Sequence, residues 1–173
     1  MNHFEFYGLP LSFVLDTADL RKRYYQISRE THPDFHTQAS AAQQAEMLDR
    51  SAYNNVAYNT LNDPDARMRY VLTIKGLIGD EQNLPVLPQD FLMEMMEINE
   101  ALMELEFDPA GYSKLLAQLE SVENAINQTV AEDIAHWTDS PNQEARLMRI
   151  REFYLKKRYL LRIRENLSKF ASP

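Results

Sequence analysis

Residues 16–34 read DTADLRKRYYQISRETHPD, and the fold follows from where helix can start and stop within them. Asp16 offers a capping oxygen, Asp19 lies three positions on, and Leu15 and Leu20 take the N′ and N4 positions of a hydrophobic staple, so helix begins here. Leu20, Tyr24 and Ile27 recur at helical spacing as the buried stripe and leave Arg21, Lys22, Arg23 and Arg29 largely outside it. The helix runs to about Glu30. Pro33 stops it, because a proline pushes the residue before it out of the helical region.

A polar loop follows, and helix is predicted to resume near Ser40 and to continue through Leu48, Ala52, Tyr58 and Leu61. Asn62-Asp63 is a second stop, with Pro64 suited to a first helical position and Asp63 to its cap; that short helix ends at Lys75-Gly76. Gly76, Gly79, Pro85 and Pro88 mark residues 76–88 as an interdomain linker. Beyond it, three helices are expected over 89–106, 110–137 and 142–170. Their short connections, Asp108 to Gly111 and Asp139 to Asn142, make them antiparallel neighbours. The expected fold is therefore all-α: an antiparallel helical hairpin with short flanking helices over 1–75, the linker, and a three-helix bundle over 89–173.

Composition narrows the function. A chain of 173 residues with 45% hydrophobic content has room for two small cores. Its net charge of -8 argues against nucleic acid and anionic membrane as main partners. There are no cysteines, which excludes disulfides and thiolate metal sites, and no cofactor or bound metal is expected. The N-terminus has no basic segment followed by an apolar run, and no stretch approaches the roughly 18 apolar residues of a membrane span, so a cytoplasmic protein is expected. Charge is unevenly placed: between Gly76 and Asp139 Lys114 alone opposes fourteen acidic residues, whereas between Arg146 and Arg164 Glu152 alone opposes eight basic ones. The last helix can then lie against the acidic pair before it.

At the tip of the hairpin, His32-Pro33-Asp34 sets a possible cation, a rigid kink and an anion in three successive positions. Alone it could be a proline-kinked turn with Asp34 as a local cap. Its context is specific. Phe4-Glu5-Phe6-Tyr7-Gly8-Leu9, then the basic helix leading into the loop, then Asn55 to Leu61, Asp63-Pro64, Arg67 and Tyr70 resemble the J-domain of DnaJ-like proteins in type and spacing. The family usually has an aliphatic residue where this chain has Asn54, a departure that bears on local packing rather than on the assignment. The resemblance implies that His32, Pro33 and Asp34, helped by Lys22, Arg23 and Arg29, engage a DnaK-class chaperone and promote its ATP hydrolysis, the chain itself catalysing nothing. The alternative for that basic face is an ordinary solvated helix surface.

Residues 1–173 as a whole resemble the HscB family, co-chaperones of bacterial iron-sulfur cluster assembly, with a bundle opening at Phe91-Leu92-Met93-Glu94. The metal-binding cysteine segment of some eukaryotic relatives has no counterpart here, which favours a bacterial protein. In the helix from 89, Phe91, Met95, Ile98, Leu102 and Leu105 fall on one face and form a core stripe. Leu92, Met93, Met96, Glu97, Glu100 and Glu104 fall on the opposite side, so apolar groups and like charges share a second stripe. Such a surface suits a basic, partly apolar partner. The resemblance assigns this stripe, with Phe153 on the last helix, to the cluster scaffold protein IscU, and the chaperone to an HscA-like one. Relatives more often carry leucine at Met96, a volume-conserving change. The alternative is that Leu92 and Met96 are core, since a helix in a bundle faces two neighbours.

An enzyme is the competing class. His32 and His36 are four apart, but Pro33 forbids regular helix between them. Asp133-x-x-His136 is half of a di-iron bundle site whose second pair is missing. A J-domain protein with a different client would share every N-terminal feature, so only the stripe on the helix from 89 separates the two.

Overall fold

Asp16 caps the first long helix as its position demands: its carboxylate accepts from the N–H groups of Ala18 (2.9 Å) and Asp19 (3.2 Å). The computed structural model describes residues 1–79, 86–139 and 141–171, and the linker expected at 76–88 lies partly outside them. The chain groups into two compact units, Met1–Lys75 and Gly76–Pro173. Regular structure among the described residues is all helical. In the first unit it comprises α1 (His3–Tyr7), α2 (Thr17–Glu30), α3 (Ala41–Asn62) and α4 (Pro64–Ile74). The second contains α5 (Gln89–Glu104), α6 (Tyr112–His136) and α7 (Gln143–Ser168). The expected helices over 89–106, 110–137 and 142–170 are shortened by two, three and three residues in all, the start at Gln89 being as expected.

In the first unit, α2 and α3 form the antiparallel hairpin, crossed by α1 and extended by α4. Leu20, Ile27, Ala57, Leu61, Val71 and Leu72 are buried with Phe4 and Tyr7 of α1. α1 carries a capping box of Asn2 and Glu5 and ends at Gly8, whose φ of 63° places it in the left-handed region. The reversal leaves the Tyr7 carbonyl facing α2, where Arg23 Nη1 donates to it at 2.8 Å. Asp63 caps α4 through Ala66 N–H, with Pro64 in the first turn. Leu48 is exposed although it lies in α3. At 1.5 Å per residue α3 outreaches α2 by about 12 Å, so its first turns have no helix opposite them.

The departure at Asn54 is resolved by hydrogen bonds rather than by loose packing. Asn54 is 1% exposed. Its Nδ2 donates to the Tyr24 carbonyl (3.1 Å) and to Ser28 Oγ (3.0 Å), while its Oδ1 accepts from the Tyr7 hydroxyl (2.6 Å). Burial pushes the Tyr7 hydroxyl pKa well above its ordinary value, so it stays a donor. Arg67, also buried, donates to the carbonyls of Phe13 and Leu61 and fastens the α1–α2 connection to the end of α3.

The second unit closes on one core of Phe91, Met95, Ile98, Leu102 and Leu105 with Leu115, Leu119, Val122, Leu160, Ile163 and Leu167. The predicted core stripe of α5 is thus buried throughout. Two bidentate bridges join α6 to α7. Arg149 donates from Nε and Nη2 to Asp133 at 2.6 Å each, and Arg164 to Glu123 at 3.0 and 2.6 Å. Arg149 and Arg164 of the basic helix thus take their acidic partners from α6. Among the described residues no ion pair reaches Glu94, Glu97, Glu100 or Glu104 of α5.

Two outcomes follow from these contacts. Asn54→Ala should remove the amide shared by the Tyr7 hydroxyl, the Tyr24 carbonyl and Ser28 Oγ, leaving the Tyr7 hydroxyl the backbone carbonyl at 54 (3.0 Å), and cost the first unit about 1 kcal/mol, read as faster hydrogen exchange at α2 and α3 amides while the Trp137 fluorescence transition of the second unit holds. The second concerns acid. The Arg149 hydrogen bonds hold the Asp133 carboxyl below the usual carboxylate range. A depressed folded pKa means stability that is present above the unfolded value of about 4 and lost as pH falls through the folded one. Unfolding followed at Trp137 should therefore set in below about pH 4, and Asp133→Asn should lower stability at pH 7 by about 2 kcal/mol and flatten the acid dependence.

Candidate functional sites

The first site is the hairpin tip. After α2 ends, Thr31 is buried and its hydroxyl donates to the Ile27 carbonyl at 2.9 Å. Pro33–Phe35 form a single tight turn opened by Pro33, with Phe35 N–H donating to the His32 carbonyl at 3.0 Å. On the far side, His36 Nε2 donates to the Glu30 carbonyl (2.6 Å), and Gln44 Nε2 donates to the carbonyls of His36 (3.1 Å) and Ala39 (3.2 Å). The loop is thus fastened at both ends, while His32, Pro33 and Asp34 face solvent. Within it, Asp34 N–H donates to His32 Nδ1 at 3.2 Å, and the two side chains approach to 3.7 Å. His36, the second of the spaced histidines, is engaged by backbone rather than offered to a metal.

On the adjoining face of α2, Lys22 and Arg29 are exposed and, among the described residues, no ion pair reaches them. Arg23 differs. Its Nε binds Asp19 (2.7 Å) and its Nη1 the Tyr7 carbonyl, so the residue expected on the open basic face is half-buried and holds α1 to α2. Tyr25 and Phe35, which the basic pattern did not single out, stand exposed beside the loop.

The second site is the outer face of α5. Met93 and Met96 are 57% and 61% exposed, and Glu97, Glu100 and Glu104 surround them in solvent. Leu92 is half-buried and packs against the core, so the face opens at Met93 and Met96 rather than at Leu92. Met103 (71% exposed) and Phe107 extend the apolar strip toward the end of the helix. Counting would have found Met103, since at 100° per residue it falls about 20° from Leu92. Phe107 lies past the helix end, where no periodicity locates it.

Phe153 requires a correction. Expected beside this stripe, it is only 6% exposed and lines a groove of about 290 Å³ between α6 and α7 with Ile126, Val130, Arg149 and Lys156. α7 is buried at Ile150, Phe153, Tyr154 and Leu155, and this broad apolar surface draws the ring inward. The Asp133-x-x-His136 pair is likewise committed: Arg149 takes both Asp133 oxygens, and His136 sits beside Asp139 and Glu132.

Comparison with known proteins identifies the family. A family model described as the HSCB C-terminal oligomerisation domain matches residues 87–168. The co-chaperone protein HscB homolog of Bordetella pertussis is 34% identical over 131 residues, covering 76% of this chain and 77% of the relative. That of Shewanella loihica is 39% identical over 105 residues, 61% of each chain. Among solved structures, human co-chaperone protein HscB aligns over 98% of this chain and 81% of its own, with TM-score 0.73 and 28% identity. Chaperone HscB from Vibrio cholerae, at 24% identity and TM-score 0.58 over 96% and 99%, shares the fold. With its all-helical architecture and a relative at this identity over three quarters of both sequences, the chain belongs to the HscB family of co-chaperones.

Proposed function

We propose that the chain serves iron-sulfur cluster assembly by coupling two partners. The unit over 1–75 acts as a J-domain that stimulates ATP hydrolysis by a DnaK-class, HscA-like chaperone, and the unit over 89–173 holds the scaffold IscU. The supporting observation is the hairpin loop: its backbone is fastened at Thr31 and His36, while the side chains of His32, Pro33 and Asp34 are left to solvent. A loop ordered before binding loses little entropy on docking. The chain would regulate the chaperone's ATPase rather than catalyse a reaction. Such a protein would work in the cytoplasm; no helix among the described residues is long and apolar enough to cross a membrane.

The scaffold half of the proposal rests on α5. Among the described residues no ion pair reaches Glu97, Glu100 or Glu104, so they repel one another beside exposed Met93, Met96 and Met103. A basic, partly apolar surface would relieve the repulsion and cover the methionines, whose flexible side chains adapt to a partner.

His32→Gln and Asp34→Asn should each abolish stimulation in a steady-state ATPase assay at co-chaperone concentrations that saturate the wild type, with circular dichroism and scaffold affinity unchanged. Stimulation that survives both changes would sink the chaperone half. For the scaffold half, Met93, Met96 and Met103 changed together to alanine should weaken IscU binding tenfold or more in calorimetry, about 1.4 kcal/mol, with little change in the Trp137 melt. Leu92→Ala should lower that melt as well. Glu97, Glu100 and Glu104 changed to alanine should instead slow association and remove its salt dependence. Full affinity in the methionine triple would assign the client to another surface.

A further inference from the structure

We propose that Tyr25 and Phe35 form an apolar cleft within the chaperone-docking face, taking an apolar side chain flanked by carboxylates on the DnaK-class chaperone. The inference rests on the J-domain reading above. A depression of about 370 Å³ lies beside the loop, lined by Tyr25, Ser28, Arg29, His32 and Phe35 and mostly apolar. Tyr25 is 58% and Phe35 73% exposed, both large rings on a surface where burial would be expected to hide them. Phe35 is not a loose loop tip. The residues on either side of it are held by the turn and by the His36 bond to Glu30, and its ring meets the His32 ring edge-on at 6.0 Å. Tyr25 leans on Tyr24, with ring centroids 5.3 Å apart.

Charge identifies the occupant. Counting from Lys22 at 100° per residue, Tyr25 and Arg29 fall within about 60° of it, so the aromatic ring stands between two cations on one stripe of α2. No ion pair among the described residues reaches Lys22 or Arg29, whereas Glu30 and Asp19 on the same helix are taken by Arg50 and Arg23. Among the residues lining the depression none is acidic, and Asp34 keeps its carboxylate 3.7 Å from His32. An apolar centre with a cationic border fits an apolar residue next to Asp or Glu. The rings supply area at little entropic cost, and the cations guide the approach.

The test uses the full chain and a purified HscA-like chaperone, reading single-turnover ATP hydrolysis against co-chaperone concentration at low and high salt. Tyr25→Ala and Phe35→Ala should each raise the half-saturating concentration, and the pair together by tenfold or more, while maximal stimulation is kept. That shift should be the same at both salt concentrations, because apolar burial is not screened; the shift caused by Lys22→Gln with Arg29→Gln should shrink at high salt. Tyr25→Phe and Phe35→Leu should keep wild-type affinity. If the alanine pair leaves half-saturation unchanged while His32→Gln abolishes stimulation, the cleft is refuted and the J-domain reading stands. If the wild type or His32→Gln shows that the loop is not used, both fall. A change in self-association of the alanine pair, seen by sedimentation with chaperone affinity intact, would make the occupant a second copy of the chain and overturn the proposal.

Discussion

Burying an amide at Asn54 obliges three helices of the J-domain unit to meet at one point. A buried side-chain amide without partners costs several kcal/mol by transfer measurements, on the order of the stability of a small domain. Asn54 escapes that cost only if Tyr7 of α1 and both Tyr24 and Ser28 of α2 arrive together. Arg23 and Gly8 serve the same junction, one by binding the Tyr7 carbonyl and the other by turning the chain so that the carbonyl is available. An aliphatic residue at this position would tolerate small shifts of α1 and α2; directional bonds do not. Hairpin geometry, and with it the aim of the loop, is set by this node.

In the second unit the deciding constraint is which acids the arginine forks of α7 reach. Arg149 and Arg164 use their planar forks on Asp133 and Glu123, both on α6, where antiparallel packing against α7 brings them within reach. Lys156 binds Glu152 of its own helix and covers the Phe91 ring from 5.3 Å. α5 meets α7 through its apolar stripe, with the Phe91 ring beneath Lys156. Its carboxylates stay in water, and the exposed methionines among them are what remains once the core has taken Phe91, Met95, Ile98 and Leu102.

The two units thus present their candidate sites by opposite means. At the hairpin tip, side-chain to backbone bonds from Thr31, His36 and Gln44 hold the loop so that short polar residues stand out from it. On α5 the helix itself is the support, and the exposed residues are long and adaptable. A fastened loop suits a contact that must be made in one geometry, whereas flexible methionines suit a surface that accommodates its partner.

Helix starts and stops were legible because they are local: Asp16, Ser40 and Asp63 cap where their neighbours require, and Pro33 and Pro64 permit no other reading. The core stripe of α5 and the exposure of His32, Pro33 and Asp34 followed from period and polarity. Where side chains of mixed character go was settled by contacts distant in sequence. Asn54 became a core residue because Tyr7, 47 positions away, supplies a donor. Arg23 left the basic face because a carbonyl of α1 lay within reach, and Phe153 lies in a groove against α6 rather than in the open where it was expected. Periodicity assigns a residue to a side of its own helix, but only the neighbouring helices decide whether that side meets water.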